Sequence, residues 1–248
     1  MDGWIYHLLL VSTGCGAGII NALAGGGPIL TLGVLSLTGI DPRIANLTST
    51  VALSPGQIAA GFSVRRRLRE TRLGQPFWLL TIAILGGAAG AALLFATASQ
   101  VFNALVPWLV LLATAIYAAS GLRGVIARTA SSSLKRTLSA LFAPLAVYGG
   151  YFGGGNSFLV LAVLGLSGHE PKLSGDIKNI LIAAINFGAV IVFAVSGSVD
   201  WPVAGSLGVG GALGSMIGTR LLGQLPAGII RAIVIIGGLM LAAWMFVR

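Results

Sequence analysis

Residues 24–30 read AGGGPIL, three glycines and a proline inside a strongly apolar stretch. Glycine weakens a helix interior and proline removes a backbone donor, so such a cluster breaks an otherwise helical run. A second triple glycine stands in residues 151–159, YFGGGNSFL. Helix-starting residues follow at once in both places. Pro28 suits a first helical turn, where its missing N–H is no loss, and Asn156 and Ser157 suit a helix cap. Residues 28–38 predict a helix of about 16 Å at 1.5 Å per residue, about half the thickness of a hydrocarbon core. Each break is therefore expected deep in a membrane, with unpaired N–H groups and the positive end of a helix dipole open to an anion.

The composition agrees with a membrane. Of 248 residues, 56% are hydrophobic and 8% charged, whereas soluble domains carry about 25% charged residues. Apolar elements are expected at 4–24, 28–38, 44–63, 74–95, 101–120, 137–152, 156–167, 179–196, 202–219 and 227–247. Several reach the roughly 20 residues that cross a bilayer. The fold class is all-α and polytopic. With one cysteine, two histidines and six carboxylates, the chain offers neither a metal cluster nor a nucleophile–base pair, so no cofactor, no metal and no enzyme activity are expected. The net charge of +9 sits in loops beside apolar spans, which points to membrane orientation rather than to nucleic acid. Ala22-Leu23-Ala24 resembles a signal cleavage site, but Met1-Asp2-Gly3 lacks the basic residues of a signal peptide, so retention of the N-terminal helix is expected.

The two halves resemble each other. Gly25-Gly26-Gly27-Pro28 matches Gly153-Gly154-Gly155-Asn156, Asp41-Pro42-Arg43 matches Glu170-Pro171-Lys172, and Gly86-Gly87-Ala88-Ala89-Gly90 matches Gly210-Gly211-Ala212-Leu213-Gly214, all at offsets of 124 to 129. The chain divides into a first transmembrane repeat (1–120), a cytoplasmic linker (121–136) and a second repeat (137–248). If the loops near 64–73, 121–136, 168–178 and 220–226 are cytoplasmic, all fifteen Lys and Arg residues except Arg43 and Arg248 lie at or near that side. Both termini are then outside. The three helices after each glycine break run in opposite senses, so the repeats are inverted, each with a re-entrant hairpin at its start. Inverted repeats with broken helices meeting at the midplane recur among transporters.

The candidate binding residues are the two breaks, Gly25, Gly26, Gly27 and Gly153, Gly154, Gly155, with Asn156. Asn46, Thr48 and Ser49 join them from the first half, and Lys178, Asn179 and Asn186 from the second. Lys178 opposes the dipole of the helix start expected beside it, which a mobile anion would explain; snorkelling to the interface is the plain alternative. Gln57 and Asn21 are weaker candidates. The glycines at 86, 87, 90, 210, 211 and 214 read as close-packing positions.

In these residues the sequence resembles the TauE/SafE family of sulfite and organosulfonate exporters. The resemblance is carried by the glycine break in each half, the Asp-Pro and Glu-Pro pairs, Asn46-Leu47-Thr48-Ser49-Thr50, Lys178-Asn179 with Asn186, and Gly197-Ser198-Val199-Asp200-Trp201. Pro28, Asn46 and Asn156 stand where the family more often has a small residue or Gly. The resemblance implies a secondary transporter that exports a small sulfur-containing or organic anion by alternating access across a bacterial inner membrane. A passive anion channel is the alternative. The implied partners are the anion and the lipid bilayer, with homo-oligomerisation left open.

Overall fold

The computed structural model describes residues 3–70, 77–120, 132–166, 171–221 and 227–247, and among these the secondary structure is helix joined by short turns, with no strand. The helices are α1 (Gly3–Ala24), α2 (Gly27–Leu37), α3 (Pro42–Glu70), α4 (Phe77–Ala96), α5 (Ser99–Ser120), α6 (Ser132–Tyr151), α7 (Asn156–Leu166), α8 (Pro171–Val195), α9 (Trp201–Leu221) and α10 (Ala227–Val247). Residues 64–70, 132–136 and 171–178, expected in loops, are helical extensions of α3, α6 and α8. The rest of the expected linker, 121–131, lies outside the described residues, as do Arg72, Arg123, Arg128, His169, Glu170 and Arg248.

Among the described residues, four helical stretches are long and apolar enough to cross a membrane: Gly3–Ala22, Trp78–Ala96, Ser99–Ile116 and Gly175–Val195. Helices α3 and α9 have the length but not the apolarity. Helix α3 carries buried Asn46, Thr48, Ser49, Thr50 and Ser54, and α9 is diluted by glycine. The polar groups of α3 face protein, whereas α9 keeps one side exposed, with Val209, Leu213 and Met216 outward. Large apolar side chains such as Trp4, Leu8, Leu85, Trp108, Leu112, Ile191 and Met240 lie exposed, as a lipid-facing exterior demands.

Two glycine seams hold the helices together. On α9, a Cβ at Gly210 or Gly214 would overlap the backbone of Val11 and Cys15 on α1, and one at Gly211 would press into Leu53 on α3. On α4, a Cβ at Gly90 would overlap the Val147 carbonyl on α6, and one at Gly87 the Ile185 carbonyl on α8. Each half therefore lends one helix to the other: α9 packs on α1 and α3, and α4 packs on α6 and α8. Matching α1–α5 to α6–α10 in order, these contacts exchange with one another. Helices α3 and α8, which start at Pro42 and Pro171, touch through Gln57 and Asn186 and again through Gly61 and Ala183. Rising numbers on one meet falling numbers on the other, so the pair is antiparallel. So is α5 with α10, where Trp108 meets Phe246 and Thr114 meets Gly238.

The helix ends are tied at one edge by charged groups. Asp41 accepts from the N–H of Arg43 at 2.9 Å and from Asn103 Nδ2 at 3.1 Å. Arg43 in turn donates to the Phe95 carbonyl at 2.9 Å, closing the last turn of α4, where a cation is favoured. Asp200 accepts from the Val203 N–H at 3.2 Å in the first turn of α9.

The seams make a direct prediction. Gly214→Val should lower the thermal unfolding temperature in detergent through overpacking, at about 1–3 kcal/mol. Gly205→Ala, where a Cβ meets nothing within 4 Å, should leave it unchanged or raise it.

Candidate functional site

Both breaks form as glycine allows. Gly25 sits at φ +78° after the end of α1, and its N–H reaches back to the Ile20 and Asn21 carbonyls at 3.1 and 3.0 Å. Gly26 caps α2, Gly27 is its first residue and Pro28 its second. The second break is longer, spanning Phe152 to Gly155 before α7 starts at Asn156. Gly153 and Gly155 have φ +72° and +74°, a left-handed region that side chains strain to adopt. Tyr148 steadies this loop by donating its hydroxyl to the Gly154 carbonyl at 2.9 Å. Asn46 Nδ2 donates to the Tyr151 carbonyl at 3.0 Å, tying α3 to the end of α6.

Tertiary packing brings the two breaks together. A Cβ on Gly25 would overlap the Ser157 side chain, so the end of α1 lies against the start of α7. Between them is a pocket lined by Gly25, Pro28, Thr50, Leu53, Gln57, Gly153, Asn156, Ser157, Ile182 and Asn186. Its lining is built from equivalent positions of the two halves. Leu53 and Ile182, Gln57 and Asn186, and Pro28 and Ser157 are each separated by the offset of 129 that relates Pro42 to Pro171. The Gln57–Asn186 pair is directly hydrogen-bonded, Asn186 Nδ2 donating to Gln57 Oε1. The pocket offers about 10 Å³ to water centres, roughly one water. No lining residue is charged.

Asn156 stands apart from its neighbours. It is 2% exposed, and neither Nδ2 nor Oδ1 has a hydrogen-bond partner. Its amide group lies against Gly149, where any Cβ would overlap it. A buried polar group without a partner costs about 1–3 kcal/mol, so an orphaned amide at a helix start inside a pocket is a feature that binding can offset.

The sequence-expected residues separate into two groups. Gly25, Gly153, Asn156 and Asn186 line the pocket. Gly26, Gly27, Gly154 and Gly155 shape the breaks without lining it, and the space beside Gly155 is filled by Ala113 of α5. Asn46 is committed to Tyr151, and the Thr48 hydroxyl accepts from the Asp200 N–H at 3.3 Å. Ser49 is buried off the pocket, with Oγ unpartnered. Lys178 and Asn179 lie on α8 about one turn before Ile182, the nearest lining residue on that helix. With α8 starting at Pro171, Lys178 is well inside that helix, not at its start, and about 12 Å along the axis from Asn186. Leu53, Ser157 and Ile182 were not among the candidates, and Gln57 was only a weaker one; carrying the 129-residue offset along α3 and α8 would have paired Gln57 with Asn186.

Asn46→Leu should cost about 1–3 kcal/mol by stranding the Tyr151 carbonyl. Thermal unfolding checks this, with Ser54→Ala, which loses only a bond within its own helix to Val51, as the milder comparison.

A family model described as "Sulfite exporter TauE/SafE" matches residues 10–245. A "Probable membrane transporter protein" of Haemophilus influenzae is 28% identical over 246 residues, covering 96% of this chain and 93% of that protein. "Probable membrane transporter protein YfcA" of Escherichia coli K12 is 26% identical, covering 92% and 84%. "Probable membrane transporter protein ORF9" of a Sinorhizobium species is 29% identical, covering 98% and 94%. No solved structure gives a significant match. With its helical membrane fold and a match across nearly the whole sequence, the chain belongs to the TauE/SafE sulfite exporter family of membrane transporters.

Proposed function

We propose that the protein is a secondary transporter that exports a small sulfite- or sulfonate-like anion across a bacterial inner membrane by alternating access. The observation that carries this reading is the meeting of the two glycine breaks at one pocket, with the orphaned Asn156 amide at the start of α7. Helix N-termini inside the apolar layer supply N–H groups and positive dipole ends to an anion without a charged side chain. The antiparallel running of α3 against α8 and of α5 against α10 supports inverted repeats. With the basic loops inside, both termini lie outside, and an inside-negative potential favours anion exit by about 2.3 kcal/mol per charge per 100 mV.

The room for roughly one water and the Gln57–Asn186 bond across the lining support reading this conformation as a closed one, to be opened by movement of α3 against α8. The moving bodies are not the sequence halves. Helices α1, α2, α3 and α9 form one bundle and α4, α6, α7 and α8 the other, because each glycine seam lies within a bundle. Access switches as one bundle tilts against the other along α3 and α8.

Reconstituted into liposomes, the protein should show saturable sulfite or sulfonate flux with trans-stimulation; unitary current steps would mean a channel instead. Paired cysteines test the bundles in a Cys15→Ala background. Gly61→Cys with Ala183→Cys links α3 to α8, and Ala22→Cys with Gly218→Cys links α1 to α9, where each glycine's Cβ would lie 2.8 Å from the alanine Cβ. The first disulfide should stop flux until reduced, and the second should leave it running. Loss of flux from the second link would sink the two-bundle arrangement.

A further inference from the structure

We infer that the transported anion must itself carry a hydrogen-bond donor, as a hydrogen-bearing monoanion does and a bare dianion or acceptor-only anion does not. The inference rests on the anion-transport reading above and concerns which anion the same pocket accepts. Two acceptors on the lining lead to it. Thr50 spends its hydroxyl hydrogen on the Asn46 carbonyl at 2.9 Å, so what it can turn toward the pocket is lone pairs. Asn156 brings an amide whose nitrogen and oxygen are both buried and unpartnered. Exchanging the two amide atoms changes nothing, since one donor and one acceptor await partners either way.

The donors and acceptors are unevenly placed. Asn156 and Ser157 open α7 with their N–H groups, whereas Pro28, the counterpart of Ser157, has none to give on α2. The anionic oxygens are therefore received at α7, where the Asn156 Nδ2 adds a further donor. The Asn156 Oδ1 and the Thr50 Oγ1 present negative partial charge to the same guest. An anion with acceptors alone satisfies the first set and is repelled by the second; one that carries an O–H or N–H satisfies both. A single water, which gives and accepts, also matches such a site, and a guest that displaces water without reproducing its bonds loses affinity.

The test on the purified full-length protein first compares ligands of equal charge and similar size at one pH, then follows sulfite as pH is raised. Isethionate, which bears a hydroxyl, and ethanesulfonate, which does not, are titrated by thermal shift and as competitors of sulfite flux. Isethionate should bind about tenfold more tightly, about 1.4 kcal/mol. Sulfite itself should bind more weakly as rising pH converts its monoprotonated form to the dianion, while the ethanesulfonate response stays level over the same range. Asn156→Leu and, separately, Thr50→Val should each shrink the isethionate preference to within about threefold; the isosteric Thr50→Val keeps the test alive if Asn156→Leu misfolds. Equal binding of isethionate and ethanesulfonate, with sulfite indifferent to pH, would overturn the donor requirement and leave anion transport standing. If none of these anions shifts the protein or crosses the membrane, the transport reading itself fails.

Discussion

A helix that begins inside an apolar layer has backbone N–H groups that lipid cannot satisfy. This protein has two helix starts at glycine breaks, α2 at Gly27 and α7 at Asn156, and the packing of the remaining helices buries them and brings them close to each other. Gly25 makes the approach physically open, because any side chain there would occupy the space of Ser157. Once the breaks meet, their polar starts share one enclosure, and the polar residues of α3 and α8 become its walls. The low apolarity of α3, odd for a membrane helix, then has its reason: Asn46, Thr48, Thr50 and Gln57 all serve polar groups inside the bundle.

The glycines divide into two kinds of use. At 25, 153 and 155 they permit left-handed backbone at the breaks. At 87, 90, 210 and 214 they remove side chains so that carbonyls of a neighbouring helix can sit against the backbone. The second use is what interlocks the halves. In lipid, apolar burial gives little drive for helices to associate, so dispersion across close backbone contacts carries more of the stability. Placing that contact between α1 and α9 and between α4 and α6 packs helices of the two sequence halves against one another. The less glycine-sealed boundary, along α3 and α8, passes through the pocket.

Much of this was legible in sequence. Length and apolarity announced a membrane fold, and glycine followed by Pro or Asn marked two helix starts. The internal offset related the halves, and the order of motifs pointed to the TauE/SafE family that the whole-chain match then showed. The reading of Lys178 as a residue at a helix start was different: α8 begins seven residues earlier, at Pro171, because polar residues 171–178 continue the helix rather than forming a loop. Apolar patterning sees where lipid begins, not where the helix does.

What the sequence by itself determined is what local chemistry controls: helical spans, their breaks, and the repetition of both. Only the tertiary structure decided that Gly25 faces Ser157, that Gln57 meets Asn186, and that Asn46 and Thr48 are bound elsewhere while Asn156 is left without a partner. The reason is that a polar side chain in an apolar helix has no local clue to its companion. Which residue answers it depends on how helices more than a hundred positions apart come to cross, and on which backbones are bare enough to let them.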